Sequence, residues 1–117
     1  MTTGEAVSKS LIKHGVDTVF GIPGAHMYGF TDALARDSDQ IRFITTRHEQ
    51  GAGYMAFGYA KSTGKTGVYT VVPGPGVLNS SAALCTAYGA NTPVLCLTGN
   101  IMSHLINLFI TSSFCLC

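Results

Sequence analysis

The order of short strand-like runs and helical segments constrains the fold of this chain more than any other feature. β-branched and aromatic residues fill Val68–Val72, and such a run is typical of a parallel strand that is buried on both faces. Buried strands are also predicted at Val19–Ile22 and Pro93–Thr98, and a further strand at Arg42–Thr46. Because a helical pattern separates each pair of runs, the sequence predicts an α/β fold, with a doubly wound, mainly parallel sheet and helices on both faces.

The helices are predicted from their start and stop signals. Thr2 and Glu5 form a capping-box pattern at the start of the first helix, and Gly15 ends that helix. Pro75 is a favourable first residue for the last one. The predicted helices cover residues 2–14, 27–36, 49–62 and 75–88.

Three short segments with unusual composition come directly after predicted strands. They are Pro23–His26, His48–Glu49 and Pro73–Asn79. Ligands of doubly wound sheets bind at the carboxyl ends of the strands. The sequence therefore predicts that these three segments meet at one edge of the sheet and form a binding site there.

Glu49 stands where a strand gives way to a helix rich in Gly and Ala. Its simplest interpretation is an acidic residue in the first helical turn, which the helix dipole favours. The small residues that follow indicate a second interpretation, a carboxylate held against a group that comes very close. The residues around Glu49 alone leave both interpretations open.

The segments Phe20–His26, Arg47–Ala52 and Pro73–Asn79, in this order and spacing, resemble the N-terminal, pyrimidine-binding domain of thiamine diphosphate enzymes. The resemblance is closest to the branch that contains acetolactate synthase, benzoylformate decarboxylase and benzaldehyde lyase, and it covers about residues 5–99. It implies a thiamine diphosphate-binding fold of the pyrimidine type. It also implies that the chain is the N-terminal half of a 2-keto acid decarboxylase or carboligase, with thiamine diphosphate bound through its aminopyrimidine ring.

The resemblance assigns roles to individual residues. Glu49 matches the glutamate that hydrogen-bonds the ring nitrogen N1′, so that the 4′-nitrogen of the cofactor acts as the base. Pro23 and Gly24 match a turn beside the pyrimidine ring, and Pro75 and Asn79 match the loop and helix start that wall the same ring. The alternative for Asn79 is an ordinary polar residue in the first turn of its helix.

The substrate side of the predicted site contains Ala25 and His26. Decarboxylases of the family often carry an Asp or Ser at the position of Ala25, whereas Gly24-Ala25-His26 resembles benzaldehyde lyase. The resemblance therefore implies carboligation or C–C cleavage, with His26 as a proton shuttle or hydrogen-bond donor. The alternative is a loop histidine that only contacts the backbone. His48 is expected to pack or to cap a helix and not to catalyse, and His14 is expected to lie on the surface.

The second half of the cofactor machinery has no counterpart in this sequence. Family members hold Mg²⁺ and the diphosphate with a Gly-Asp-Gly…Asn motif in a later domain, and no Gly-Asp-Gly occurs in these 117 residues. The resemblance implies that Mg²⁺ binds only through a separate partner domain, that this chain holds no metal ligand, and that the chain is truncated and inactive alone. Residues 1–99 are expected to be an incomplete pyrimidine-binding domain.

Residues 100–117 are predicted to be an atypical apolar tail, with the composition of read-through from a shifted frame. Two alternatives to a catalytic half therefore stay open at this point. One is a truncated or frame-shifted fragment without activity, and the other is a docking module for a related enzyme.

Charged side chains are confined to residues 5–65 of the 117. Every Asp, Glu, Lys and Arg lies between Glu5 and Lys65. A chargeless second half predicts a surface that is buried against a partner. Gly51, Gly53 and Gly58 each cost a helix ~1 kcal/mol relative to Ala, so the helix that begins at Glu49 is expected to pack closely, against the sheet or against a partner subunit. We expect a homo- or heterodimer that uses this helix and residues 66–117.

Several classes of function are disfavoured. A net charge of +1 gives no electrostatic reason to expect a nucleic acid partner. The four cysteines lack the spacing of a metal site, and no secretory signal opens the chain, so reduced thiols and a cytoplasmic location are expected. The apolar stretch Pro93–Cys117 is broken into pieces shorter than the ~20 residues that a membrane span needs. Gly58–Thr66 imitates a phosphate-binding loop, but it has one residue too many between its glycines and follows a helix.

Overall fold

The computed structural model describes residues 1–101 as one parallel four-stranded sheet with helices on both faces. The strands are β1 (Thr18–Gly21), β2 (Arg42–Thr45), β3 (Gly67–Thr70) and β4 (Val94–Leu97). The helices are α1 (Thr3–Lys13), α2 (Tyr28–Arg36), α3 (Glu49–Thr63) and α4 (Pro75–Gly89). Every predicted helix and strand is present, with its bounds within two residues of the prediction.

The strand order is β2-β1-β3-β4, and all neighbouring strands are parallel. The chain therefore moves outward from β1 to β2, crosses back to β3 and continues to β4. The direction of winding changes between β1 and β3, which makes the carboxyl ends of these two strands the topological switch point. The predicted doubly wound α/β architecture is confirmed.

Each face of the sheet carries its own hydrophobic core. On one face α1 packs against α2, and on the other α3 packs against α4. The first core contains Leu11, Val19, Met27, Phe30, Leu34, Ile41 and Val68. The second core contains Phe20, Ala52, Ala56, Tyr69 and Val71. The alternation of Val68, Tyr69 and Val71 between the two cores follows from the two-residue period of a strand.

Burial differs between the central and the outer strands. β1 and β3 are buried along their whole length, whereas β2 and β4 are only partly covered. The prediction that β4 is a fully buried strand is wrong, since Leu95 is 40% exposed. Strand order explains the difference, because β4 is an outer strand of the sheet formed by residues 1–101 and has a neighbouring strand on one side only.

The local signals at the helix ends act as predicted. The Thr2 hydroxyl accepts a hydrogen bond from the Glu5 amide, and the Glu5 carboxylate accepts one from the Thr2 amide. Gly64 ends α3 in the left-handed conformation, with φ of 71°, so the imitation of a phosphate-binding loop lies at a helix end and not at a helix start. No helix within residues 1–101 has the length and apolar character that crossing a membrane requires. The predicted tail lies outside the described residues, apart from its first two positions.

Candidate functional site

The loops that follow the strands meet at the carboxyl edge of the sheet. Because the strands are parallel, the segments that follow them leave the sheet on the same side. These segments are Pro23–His26 after β1, His48 after β2 and Pro73–Gly74 after β3. Pro23, Ala25 and His26 are exposed, as is Pro75. This edge is therefore open to solvent in residues 1–101.

Glu49 and Asn79 contact each other across the two helices of one face. Asn79 Nδ2 donates a hydrogen bond of 3.2 Å to Oε2 of Glu49. Glu49 is the first residue of α3, and Asn79 lies one turn into α4. The two meet because α3 packs closely along α4, where a Cβ on Gly53 would lie 2.6 Å from the Ala83 methyl. The other carboxylate oxygen of Glu49, Oε1, takes no part in this hydrogen bond.

His48 fixes the start of α3. Its backbone is extended, with φ of −149°, and its Nδ1 accepts a hydrogen bond of 3.1 Å from the Gln50 amide. The Thr46 hydroxyl donates to the His48 carbonyl at 3.0 Å. The prediction that His48 caps a helix is confirmed, and so is the exposed position of His14 at the end of α1. The cap sets the position of Glu49 at the edge of the sheet.

His26 has a strained backbone. Its φ of 69° lies in the left-handed region, which costs a residue with a Cβ about 1–3 kcal/mol unless the surroundings enforce it. The turn is held by a hydrogen bond of 3.1 Å from the Met27 amide to the Gly24 carbonyl. In the described part of the chain, no hydrogen bond joins His26 to Glu49 or Asn79. The structure thus brings Glu49 and Asn79 together and leaves His26 in a separate loop on the same edge.

Val72 connects two of these loops, and sequence reasoning did not assign it a role. A Cβ on Gly24 would overlap Cγ1 of Val72, and a Cβ on Gly76 would lie 2.8 Å from its Cγ2. The β1–α2 loop and the start of α4 therefore both lie directly against this side chain. The only sequence signal for it is a valine just past a strand, between two glycine-containing turns.

The site residues suit an aminopyrimidine ring better than a metal ion. Within residues 1–101, no group of three or more His, Cys, Asp or Glu side chains could hold a metal. Glu49 offers a carboxylate that can share a proton with a ring nitrogen, and Pro23 and Pro75 offer apolar edges. Glu49 is only half-buried and Asn79 is exposed, so these residues do not by themselves form the dry site that the resemblance implies.

Residues 1–112 match the family described as "Thiamine pyrophosphate enzyme, N-terminal TPP binding domain". The chain belongs to this family. The family match extends to residue 112, whereas the resemblance seen in the sequence ends at about residue 99. Its last part, residues 102–112, lies outside the described residues. The cofactor that the family implies is thiamine pyrophosphate, which is another name for thiamine diphosphate.

Similar proteins of known name support this assignment. The chain is 48% identical over 95 residues to the probable 2-ketoarginine decarboxylase AruI of Pseudomonas aeruginosa. It is 42% identical over 106 residues to the acetolactate synthase large subunit of Buchnera aphidicola, and 38% identical over 106 residues to the mitochondrial acetolactate synthase catalytic subunit of Saccharomyces cerevisiae.

The aligned regions differ greatly in the share of each protein that they cover. They include 81%, 91% and 91% of this chain but only 17%, 18% and 15% of the three relatives. The chain thus spans less than a fifth of the length of the thiamine pyrophosphate enzymes that it matches.

Proposed function

We propose that this chain binds the aminopyrimidine ring of thiamine diphosphate and forms the N-terminal part of an enzyme that decarboxylates or joins 2-keto acids. The observation that carries the proposal is the pair formed by Glu49 and Asn79 at the carboxyl edge of the sheet. A carboxylate oriented by an amide at a helix start can hold a proton at one defined point, which is what a ring nitrogen requires.

The residues that would hold the ring lie around this pair. Glu49 would hydrogen-bond N1′ of the pyrimidine, and Asn79 would keep the carboxylate oriented while it walls the ring. Pro23, Gly24 and Pro75 would form the remaining walls, since Pro23 and Gly24 lie in the β1–α2 loop and Pro75 begins α4 on the same edge. When it is bound, thiamine diphosphate supplies the nucleophilic carbon that adds to a carbonyl group. Glu49 is thus the catalytic carboxylate in this proposal.

His26 would face the substrate, with Ala25 leaving space beside it. Three observations support this role: His26 is exposed, it follows β1 at the switch point, and it holds a strained backbone. Strained residues cluster at active sites, because the surroundings must enforce them. An imidazole at this position can donate a proton to a substrate oxygen or accept one from it.

A partner would complete the site from the open side. The outer face of α3 presents Gly51, Tyr54, Met55 and Gly58, which lie at helical spacing on one stripe. Tyr54 and Met55 are about 40% exposed, and a Cβ on Gly51 or Gly58 would contact no atom of residues 1–101 within 4 Å. Gly53 differs, since it packs against α4 inside the chain. The two outer glycines therefore leave open space against which another chain or domain would pack.

The neighbouring helix extends this surface. Leu78 and Tyr88 on α4 are 59% and 88% exposed, and α4 carries no charged side chain. We infer that a diphosphate-binding domain or a partner subunit covers α3 and α4, excludes water from Glu49, and holds the diphosphate and Mg²⁺. The relatives extend far beyond the matched region, which leaves room for such a domain in the complete assembly.

Calorimetric titration of the purified chain with thiamine diphosphate and Mg²⁺ tests the proposal. Glu49→Gln is the test variant, and Asp39→Asn is the matched control because it removes an exposed carboxylate from the α2–β2 turn. We expect Glu49→Gln to weaken binding by about tenfold or more, since a charged hydrogen bond contributes about 1.5–3 kcal/mol. Equal affinities for both variants would contradict the role of Glu49.

A chimera tests the function when the isolated chain binds too weakly to measure. Residues 1–99 would replace the matching segment of the Buchnera acetolactate synthase large subunit. We expect the chimera to convert a 2-keto acid and to lose that activity with Glu49→Gln but not with Asp39→Asn. A folded chimera that binds no thiamine diphosphate would refute the proposed function.

A further inference from the structure

Val72 touches both loops that flank the candidate site. It follows β3 at the topological switch point, and its side chain is half-buried against the core of the α1–α2 face. One methyl group, Cγ1, occupies the space beside Gly24, and the other, Cγ2, occupies the space beside Gly76. A single branched side chain is therefore shared between the β1–α2 loop and the start of α4.

Lack of space for a side chain, and not an unusual backbone conformation, explains why Gly24 and Gly76 are glycines. The glycines with a left-handed φ in the described chain are Gly15, Gly64 and Gly74, so Gly24 and Gly76 adopt conformations that alanine also adopts. An added Cβ at either position would collide with Val72. The backbone of each segment thus lies so close to one methyl group of Val72 that no side chain fits between them.

We propose that Val72 is a positioning residue that fixes the distance between the His26 loop and the Asn79 helix. Gly24 lies two residues before His26, and Gly76 lies three residues before Asn79. Asn79 in turn donates to Glu49, so a displacement at Val72 changes the relation of His26 to the Glu49–Asn79 pair. The functional consequence rests on the proposed function, whereas the contact itself does not.

A pair of substitutions tests the contact. Gly24→Ala is expected to lower the midpoint of thermal unfolding by roughly 5–15 °C, as overpacking costs about 1–3 kcal/mol. In Gly24→Ala combined with Val72→Ala, the nearest remaining atom of residue 72 is its Cβ, which lies 3.9 Å from the new methyl group. We therefore expect the double variant to melt above Gly24→Ala alone.

The control pair combines Val72→Ala with Gly29→Ala, because a Cβ on Gly29 would contact nothing within 4 Å in residues 1–101. The effects of these two substitutions on the melting temperature should add. If the losses of Gly24→Ala and Val72→Ala also add, Val72 does not hold the loop and the proposal fails.

Nuclear magnetic resonance separates positioning from stability. Val72→Ala is expected to shift the imidazole signals of His26 and the side-chain amide signals of Asn79, while the ring signals of Tyr59 at the opposite edge stay unchanged. Val72→Thr keeps both branches of the side chain, so it should restore the His26 and Asn79 signals. Unchanged signals in Val72→Ala, or the same shifts in Val72→Thr, would overturn the proposal.

The same variants distinguish this inference from the proposed function. Titration with thiamine diphosphate should give weaker binding for Val72→Ala than for Val72→Thr. Rescue of Gly24→Ala, together with a folded wild-type acetolactate synthase chimera that binds no thiamine diphosphate, would support the contact and refute the cofactor role. Normal binding in Val72→Ala would refute the positioning role and leave the proposed function intact.

Discussion

The carboxyl edge of the sheet, where its strands end, and the amino edge, where they begin, are built in opposite ways. At the carboxyl edge, the loops carry Pro and Gly, His26 is strained, and the Glu49–Asn79 pair faces solvent. At the amino edge, Asp17 accepts hydrogen bonds from Tyr59 at 2.6 Å, from Lys65 at 2.7 Å and from Thr18 at 2.9 Å.

The donors around Asp17 hold its carboxylate in the charged form. Its hydrogen bonds, above all that from Lys65, lower its pKa from the usual 3.8 to about 2. The hydrogen bond to Asp17 raises the pKa of Tyr59 and that of Lys65. The polar groups of this edge are therefore already paired within the chain.

The comparison teaches that a cleft need not be the functional site. A cleft of about 680 Å³ lies at the amino edge, where it is lined in part by His14, Asp17, Tyr59 and Lys65. The paired groups there stabilise the fold and leave little for a ligand to gain. The carboxyl edge keeps Oε1 of Glu49 and the imidazole of His26 available. In the proposed function a partner covers this edge, and these available groups are the reason that the proposed site lies there.

A methyl group at the amino end of β3 should have the largest effect on stability. A Cβ on Gly67 would overlap the carbonyl group of Ala56 in α3. We expect Gly67→Ala to lower the free energy of unfolding by about 3 kcal/mol or more, because backbone cannot move aside as a side chain can. Urea unfolding measures the loss. Gly58→Ala is the control, and it should stabilise the isolated chain by up to ~1 kcal/mol. Similar values for the two variants would contradict tight packing at Gly67.

Relief of strain at the carboxyl edge should stabilise the fold. Glycine adopts a left-handed conformation without a steric cost, so His26→Gly is expected to raise the free energy of unfolding by about 1 kcal/mol. His26→Ala keeps the cost and serves as the control. Denaturant unfolding of both variants gives the comparison. A His26→Gly protein that is no more stable than His26→Ala would contradict a steric cost of the left-handed conformation at this position.

The Asp17 cluster should make the amino edge sensitive to acid. Because the pKa of Asp17 is lowered on folding, its stabilisation is present above about pH 4 and is lost as the pH falls through about 2. We expect Asp17→Asn to lower stability at pH 7 by no more than about 1 kcal/mol, since the side chain is 47% exposed and water screens the pair.

Urea unfolding between pH 7 and pH 2 measures this effect. The difference between wild type and Asp17→Asn should shrink toward the acid end, whereas Asp39→Asn should follow the wild type. A difference that stays constant with pH would contradict a charged Asp17 as the cause.

The sequence was sufficient for the elements and for the edge of the sheet at which the three predicted segments meet. Thr2, Glu5 and His48 act within one helical turn, so their roles follow from local pattern alone. The burial of β4 was predicted wrongly because it depends on strand order, which no local pattern encodes. Central and edge strands of similar composition differ only in how many neighbours they have.

The site shows the same limit. Parallel strands place Glu49 and Asn79 at one edge, but their hydrogen bond depends on how closely α3 and α4 pack, and that distance is set by Gly53 and Ala83. Val72 could not be recognised at all, because its contacts join segments on both sides of it that are distant in the chain. Sequence gives the residues of an edge, and tertiary packing decides which of them touch.

Two threonines on neighbouring strands give the finest test of the comparison. Thr18 at the amino end of β1 donates to Asp17, whereas the buried Oγ1 of Thr70 at the carboxyl end of β3 has no hydrogen-bond partner within residues 1–101. Valine keeps the shape of both side chains and removes the hydroxyl. We expect Thr18→Val to destabilise the chain and Thr70→Val to stabilise it, each by about 0.5–1 kcal/mol, because only the first loses a hydrogen bond.

Urea unfolding of the two variants decides whether the edges differ in this way. Opposite signs would show that the amino edge gains stability from its polar groups and that the carboxyl edge carries an unpaired one. A loss of stability in Thr70→Val would mean that its hydroxyl is bonded, to water or to another part of the protein. The carboxyl edge would then be held by polar contacts as the amino edge is, and the contrast between them would rest on the loops alone.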